Sequence, residues 1–408
     1  MTRIFKKISV FILPVLLTAS CDFFRSGPEN PTPDGKPYSN VFLLYTIGYN
    51  NLKGSIDGNI HSLCTSALPM PSSPKVLLLF EHQSVNSSDW TTPTAPCLIR
   101  LTSDWNGSAN RDTLLTFPKG TFTTDTETMR EVLNFIREKF DAESYGVLFS
   151  SHGTGWLPER YYDQHLNQSN AFWGKGPRMS FGCEARMEDG RAVSHEMEIT
   201  DMASGIPYKL DYIIFDACLM GCVEVAYELR GVTDLIAFSQ TEVISTGFVY
   251  ETLAKRLLDS GKPDVRGVCK DYYDKYAKSS ATISLVATAK LERLADVCAR
   301  FFERYRGEIA AVDAKTLQKF VRANSNCPAW LYDLRDLLIK AGISSGDLAE
   351  LDAALSECVL YAAWTPKFYE LPIATDCGLS LFLPSDGTDD LRDFYRNLAW
   401  NRATGLVE

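Results

Sequence analysis

Short apolar runs, many of them β-branched or aromatic, alternate along this chain with stretches whose apolar positions return every three or four residues. Residues 41–47, 75–81, 145–151, 212–215, 234–239 and 281–288 form near-continuous apolar runs, the pattern of strands buried on both faces. The shorter run 97–101 is expected near a sheet edge. Helical spacing is strongest after Thr124-Asp125-Thr126-Glu127, where Met129, Val132, Leu133, Phe135, Ile136 and Phe140 fall on one face; those four residues read as a capping signal. Further helices are predicted over 251–260, 265–279 and 291–305. In the last third, helices are predicted over 314–323, 331–341, 348–363 and 391–400, with a strand at 379–383. Strands alternating with helices predict an α/β fold, a mostly parallel sheet flanked by helices. Residues 41–290 read as its core and 291–408 as a mostly helical region packed on it.

Two of these strands end in reactive side chains. The run 212–215 breaks at Asp216-Ala217-Cys218, after which Leu219, Val223, Ala226 and Tyr227 recur at helical spacing up to Gly231. A helix is therefore predicted from about Leu219, and its N-terminus would favour the thiolate of Cys218. The run 145–151 ends at His152-Gly153. If the two strands are neighbours, histidine and cysteine meet at the strand exits, where open α/β sheets bind ligands. A thiol beside an imidazole base is the pairing that nucleophilic catalysis needs. Cys222, one helical turn beyond Cys218, lacks that strand-exit position and reads as a packing residue. His61, His82, His165 and His195 fall in loop-like contexts and receive no role.

The residues around these two positions resemble the clostripain-like cysteine peptidases, relatives of the gingipains and caspases. The resemblance rests on Tyr45-Thr46-Ile47-Gly48-Tyr49-Asn50-Asn51-Leu52, Ser151-His152-Gly153-Thr154-Gly155-Trp156, Phe215-Asp216-Ala217-Cys218-Leu219-Met220, Val223–Leu229 and 378–384, in that order. It implies a caspase-like sheet in which 378–384 supplies the last core strand. It also implies a dyad of Cys218 as nucleophile and His152 as base, with the backbone N–H groups of Cys218 and Gly153 receiving the oxyanion. No third residue need orient the histidine in this clan. In the family, the acid two residues before the nucleophile, here Asp216, lies in the pocket for the residue preceding the cut and favours Arg or Lys. The competing reading of Asp216 is a cap on the following helix. The next loop, 239–250, departs from the pattern: Thr246 stands where an acid is common and Phe248 where Trp is common. Glu242 is either a compensating substrate-binding acid or a solvated charge. Members often cut themselves between the two catalytic strands. The excursion 157–207, with Arg160, Lys175, Arg178, Arg186 and Arg191, is either such a site or an uncut loop.

The N-terminus changes the setting. Arg3, Lys6 and Lys7 precede the apolar run 8–17, followed by Thr18-Ala19-Ser20-Cys21. This is the form of a lipoprotein signal peptide over 1–20, with Cys21 as the lipidation site; the run is short for a bilayer span. The Pro- and Gly-rich segment that follows, to residue 40, reads as a flexible tether. The expected location is therefore the bacterial cell envelope, with the chain held to a membrane through lipidated Cys21. Net charge is −10 over 408 residues, and loss of the three leader cations lowers it further, which argues against nucleic acid as a partner. Protein or peptide substrates and a monomer are expected.

Eleven cysteines in an exported chain point to disulfides. Setting aside Cys21 and Cys218 leaves an odd number, so at least one more stays unpaired; Cys298 and Cys358 lie in helical stretches and read as core. No Cys/His spacing suggests zinc and no EF-hand loop supports calcium, so no cofactor is expected. Two functional classes follow: an exported, lipid-anchored cysteine endopeptidase, or a non-catalytic binding lipoprotein on the same fold. Both Cys218 and His152 are present, which favours the first; the altered loop 239–250 favours the second.

Overall fold

A computed structural model of the chain describes residues 37–86, 89, 92–159, 161, 181–188, 191–259, 261–321 and 331–408. The leader, Cys21, most of the tether and His165 lie outside the described residues. The first ten strands are β1 (Tyr38–Gly48), β2 (Lys75–Gln83), β3 (Cys97–Ser103), β4 (Ala109–Thr116), β5 (Ala142–Ser150), β6 (Phe181–Glu188), β7 (Arg191–Met197), β8 (Leu210–Asp216), β9 (Thr233–Phe238) and β10 (Thr282–Ala287). Shorter strands follow: β11 (Lys319–Phe320), β12 (Leu331–Asp333), β13 (Val359–Trp364), β14 (Lys367–Phe368), β15 (Leu371–Pro372) and β16 (Ser380–Leu381). Nine of them build one sheet in the order β13-β10-β9-β8-β5-β1-β2-β3-β4. Its five central strands, β9 to β2, are parallel, and two antiparallel strands extend it on either side.

The apolar runs are continuous because both faces of the sheet are covered. Along β1, Val41, Leu43, Tyr45 and Ile47 enter one core while Phe42 and Leu44 enter the other, the alternation that pleating imposes. The first core is closed by α2 (Thr126–Lys139), α3 (Ile199–Gly205), α4 (Val223–Glu228), α7 (Leu291–Arg304) and α10 (Ser345–Cys358); the second is closed by α1 (Lys53–Cys64), α5 (Tyr250–Ala254) and α6 (Val265–Tyr276). On α7, Leu291, Leu294, Ala295, Val297, Cys298, Phe301 and Phe302 are buried. Each of the large ones contributes about 1.5–3 kcal/mol of burial before ordering costs. The remaining helices are α8 (Arg306–Ala310), α9 (Leu334–Lys340), α11 (Asp389–Tyr395) and α12 (Ala399–Thr404).

Several expectations are corrected. The tether is ordered from Tyr38, where β1 starts. β3 lies next to the edge as expected, with β4 pairing outside it. The capping signal at 124–127 does not cap: Asp125 is the N-cap but its side chain makes no capping hydrogen bond, and Thr124 is drawn instead to Glu184. The predicted helix 314–323 is a turn at Ala314–Thr316 followed by β11, and 331–341 opens as β12 before α9. The predicted helix 348–363 ends at Cys358; β-branched Val359 and the aromatics beyond it continue as β13, antiparallel to β10 in the main sheet. Part of 291–408 is therefore built into the central sheet. Conversely, the expected last core strand is β16 of a small sheet with β11 and β12. It still braces the site, since Ser380 N donates to Gly221 O at 3.0 Å. His82 lies in β2, His61 in α1 and His195 in β7, not in loops. No disulfide joins any of the nine described cysteines; Cys298 and Cys358 are buried in the core.

Candidate active site

Strands β5 and β8 are parallel neighbours in the register Phe149↔Phe215 and Ser150↔Asp216. His152 and Cys218 are each two residues beyond the last paired rung, so the register alone carries both past the same end of the sheet. Both line one cavity of about 340 Å³, together with Asn51, Ser150, Asp216, Glu242 and Tyr369. Gly153 packs behind the cysteine: a Cβ there would lie 2.7 Å from Cys218 O and 3.1 Å from the Ala217 side chain. Only glycine permits that approach.

The backbone around Cys218 is not the predicted helix end. Leu219 adopts φ +61°, a left-handed conformation that costs a non-glycine residue about 1–2 kcal/mol, and α4 starts four residues later, at Val223, with Cys222 as its N-cap. The turn is held by Leu219 N to Thr241 O (2.9 Å) and Gly221 N to Ser239 O (2.8 Å). These bonds to the segment after β9 replace the helical bonds that the apolar spacing implied. The thiol instead meets the backbone of Val243, whose N–H lies 3.4 Å and whose carbonyl oxygen lies 3.8 Å from Sγ. Cys222 is fully buried and packs in the core.

His152 is buried, and its Nε2 lies 2.7 Å from Oδ1 of Asn51. An amide oxygen only accepts, so Nε2 carries the proton and Nδ1 is the basic atom of the neutral ring. Asn51 thus holds one nitrogen of the ring. Asn51 is 101 residues from His152 and figured in the sequence only as part of the 45–52 match.

Asp216 does not cap a helix. Its Oδ2 accepts from Tyr250 OH at 2.6 Å and Ser150 Oγ at 3.3 Å, while among the described residues Oδ1 accepts nothing. Burial pushes its carboxyl up from 3.8 to about 6, against the opposing pull of Tyr250, Ser150 and the charge of Lys275. Gly247, at φ +56°, covers this acid; a Cβ there would stand 2.5 Å from Oδ2. The covering loop is secured by Lys275 Nζ, which donates to the carbonyls of Thr246, Gly247 and Phe248 at 3.0–3.2 Å, and by Tyr276 OH to Gly247 O at 2.7 Å. Phe248 is buried against Tyr272. Ser150 could have been found from the sequence by assuming the register of β5 on β8. Phe368 and Tyr369, which close the cavity from the C-terminal region, carried no local signal. Among the described residues no cluster could hold a metal ion.

A family model for the clostripain family (peptidase family C11) matches residues 45–177 and 185–399. The chain belongs to the clostripain family. Clostripain of Hathewaya histolytica is 23% identical over 289 residues, 63% of this chain and 52% of that protein, so the chain spans about half the length of that curated relative. The crystal structure of an inactive zymogen C11 protease from Parabacteroides distasonis is 26% identical, with a TM-score of 0.74, covering 90% of this chain and 99% of that one. A secreted C11 cysteine protease of Bacteroides thetaiotaomicron has the same fold, at 23% identity and TM-score 0.73, covering 90% and 100%. A secreted C11 cysteine protease of Bacteroides thetaiotaomicron solved with an irreversible peptide inhibitor is 22% identical to this chain, with a TM-score of 0.72, covering 90% and 98%. The caspase-like sheet that the resemblance implied is thus that of the clostripain family.

Proposed function

We propose that this clostripain-family chain is a cysteine endopeptidase acting through Cys218 and His152. The observation that carries the reading is the β5–β8 register, which delivers both residues to one cavity. Nδ1 of His152 takes the thiol proton, Sγ attacks the scissile carbonyl, and the N–H groups of Cys218 and Gly153 receive the oxyanion. His152 then protonates the leaving amine, and water, deprotonated by the same ring, releases the acyl group from sulfur. Digesting a diverse peptide mixture with wild type and Cys218→Ala, and mapping cuts by mass spectrometry, tests this. Cuts that persist in the variant overturn it.

Asp216 is proposed to select Arg or Lys before the cut, its partner-free Oδ1 taking the cation. Glu242, on the same cavity wall, is a second candidate acid. Self-cleavage within 157–207 is proposed from the family resemblance and from the zymogen state named for the Parabacteroides distasonis relative; Arg160, Lys175 and Arg178 lie outside the described residues. Intact-mass analysis of wild type beside Cys218→Ala reads it, since a clip present in both is not self-inflicted. Envelope anchoring through Cys21 is supported by the leader pattern and is tested by detergent partitioning of Cys21→Ser. A calcium requirement is tested by assay in a chelator, where unchanged activity is expected.

A further inference from the structure

The hairpin β6–β7 lies in the long excursion between the two catalytic strands, and three consecutive residues at its start contact elements of the site. Phe181 wedges its ring between Phe149 and Phe215, at 5.5 and 5.7 Å, the two aromatic residues near the ends of β5 and β8. It also forms a β-bridge with Gly153. Gly182 N donates to the carbonyl of His152 at 3.0 Å. Gly182 is at φ +68°, and a Cβ there would stand 2.7 Å from Ile47 Cδ1. Cys183 O accepts from Asn50 Nδ2 at 2.8 Å, and Asn50 Oδ1 in turn accepts from Leu52 N at 2.8 Å. These two bonds bracket Asn51, the partner of the His152 ring.

Glu184 secures this segment. It is fully buried and is bonded to His82 Nδ1, to Thr123 Oγ1 at 3.0 Å, and to the amide and hydroxyl of Thr124 at 3.0 and 2.9 Å. Burial works to raise its carboxyl, but His82 and Thr124 outweigh it and hold it below the usual value. His82 is fixed in turn by stacking on Tyr49 at 4.8 Å. A buried carboxylate with four donors is costly unless all four are kept, so it defines one position for the hairpin. Residues 181–184 then transmit that position to the His152 carbonyl, to Gly153 and to the turn that carries Asn51.

We infer that Glu184, held by His82, Thr123 and Thr124, is a positioning residue for the catalytic pair, setting His152 and Gly153 against Cys218 through the Phe181–Glu184 segment. The inference rests on the dyad reading above. Its test uses His82→Leu, which removes the donor to Glu184, and His82→Gln, which restores an N–H donor. Two readouts are taken: kcat and KM on a peptide reporter, and the pH dependence of Cys218 alkylation by iodoacetamide, followed on its own tryptic peptide. In His82→Leu, kcat is expected to fall about tenfold at unchanged KM, with the alkylation midpoint moving up toward that of an ordinary thiol. His82→Gln is expected to recover both. Wild-type kcat and alkylation in His82→Leu would overturn the inference. So would equal losses in both variants, because these would indicate packing rather than the bond. Should His82→Leu melt below the assay temperature, Thr123→Val takes its place, with a smaller loss of kcat expected and an unchanged kcat overturning. A His152→Ala control separates the two readings: if it leaves the alkylation profile unmoved, the dyad itself fails and the inference falls with it.

Discussion

Replacing Asp216 with Asn tests the pocket through both stability and specificity. Burial raises the Asp216 carboxyl from 3.8 to about 6, so the folded state disfavours the ionised form. With a raised pKa, stability is fully present below the unfolded value and is lost as pH rises through the folded one. Integrated over that window, the wild type forfeits about 3 kcal/mol by pH 7.5 but only about 1 kcal/mol at pH 4.5. Asn accepts the same bonds from Tyr250 and Ser150 without ionising. Asp216→Asn should therefore be more stable than wild type at pH 7.5, with the advantage shrinking by about 2 kcal/mol at pH 4.5. Urea melts at the two pH values in the Cys218→Ala background, which prevents self-digestion, measure this. The same change should reduce kcat/KM for peptides with Arg or Lys before the cut by a factor on the order of 10² to 10³, the loss that follows truncating a desolvated charge pair. Peptides cut after neutral residues should be spared. Equal stabilisation at both pH values would refute the burial reasoning, and undiminished cleavage after Arg and Lys would remove Asp216 from specificity.

Tyr250→Phe removes a 2.6 Å donor to Asp216 that holds its pKa down, so the acid limb of cleavage after Arg should move to higher pH. An unmoved limb in the pH–rate profile counts against the assignment. Gly247→Ala places a methyl 2.5 Å from Asp216 Oδ2 at positive φ; cleavage after basic residues should fall while alkylation of Cys218 stays at the wild-type rate. Asn51→Ala should lower kcat about tenfold with KM unchanged, read by steady-state kinetics on a neutral-site peptide. Leu219→Gly relieves the φ +61° conformation, worth about 1–2 kcal/mol, but removes a side chain buried in the core, so the urea midpoint should fall by the equivalent of about 2 kcal/mol.

What the amino-acid sequence determined by itself was what local chemistry can specify. Apolar runs and three-to-four spacing marked the sheet strands β1, β2, β5, β8, β9 and β10 and the helices α2 and α7, because burial on both faces and on one stripe leaves a periodic trace. It also marked Cys218 and His152, since strand exits are where a chain turns and small residues gather. Tertiary structure decided the rest. The turn after Cys218 reads as a helix by spacing, yet bonds from Leu219 and Gly221 to Thr241 and Ser239 hold it open until Val223. The capping signal at 124–127 was overruled by a buried carboxylate 60 residues away. Asn51, Phe368 and Tyr369 join the cavity from distant parts of the chain, and Tyr250 bonds the Asp216 that lines it. Their contribution depends on strand register and on the packing of α1, α5 and the C-terminal region, which are sums over many long-range contacts. No window of neighbouring residues contains those sums, so no local pattern could announce them.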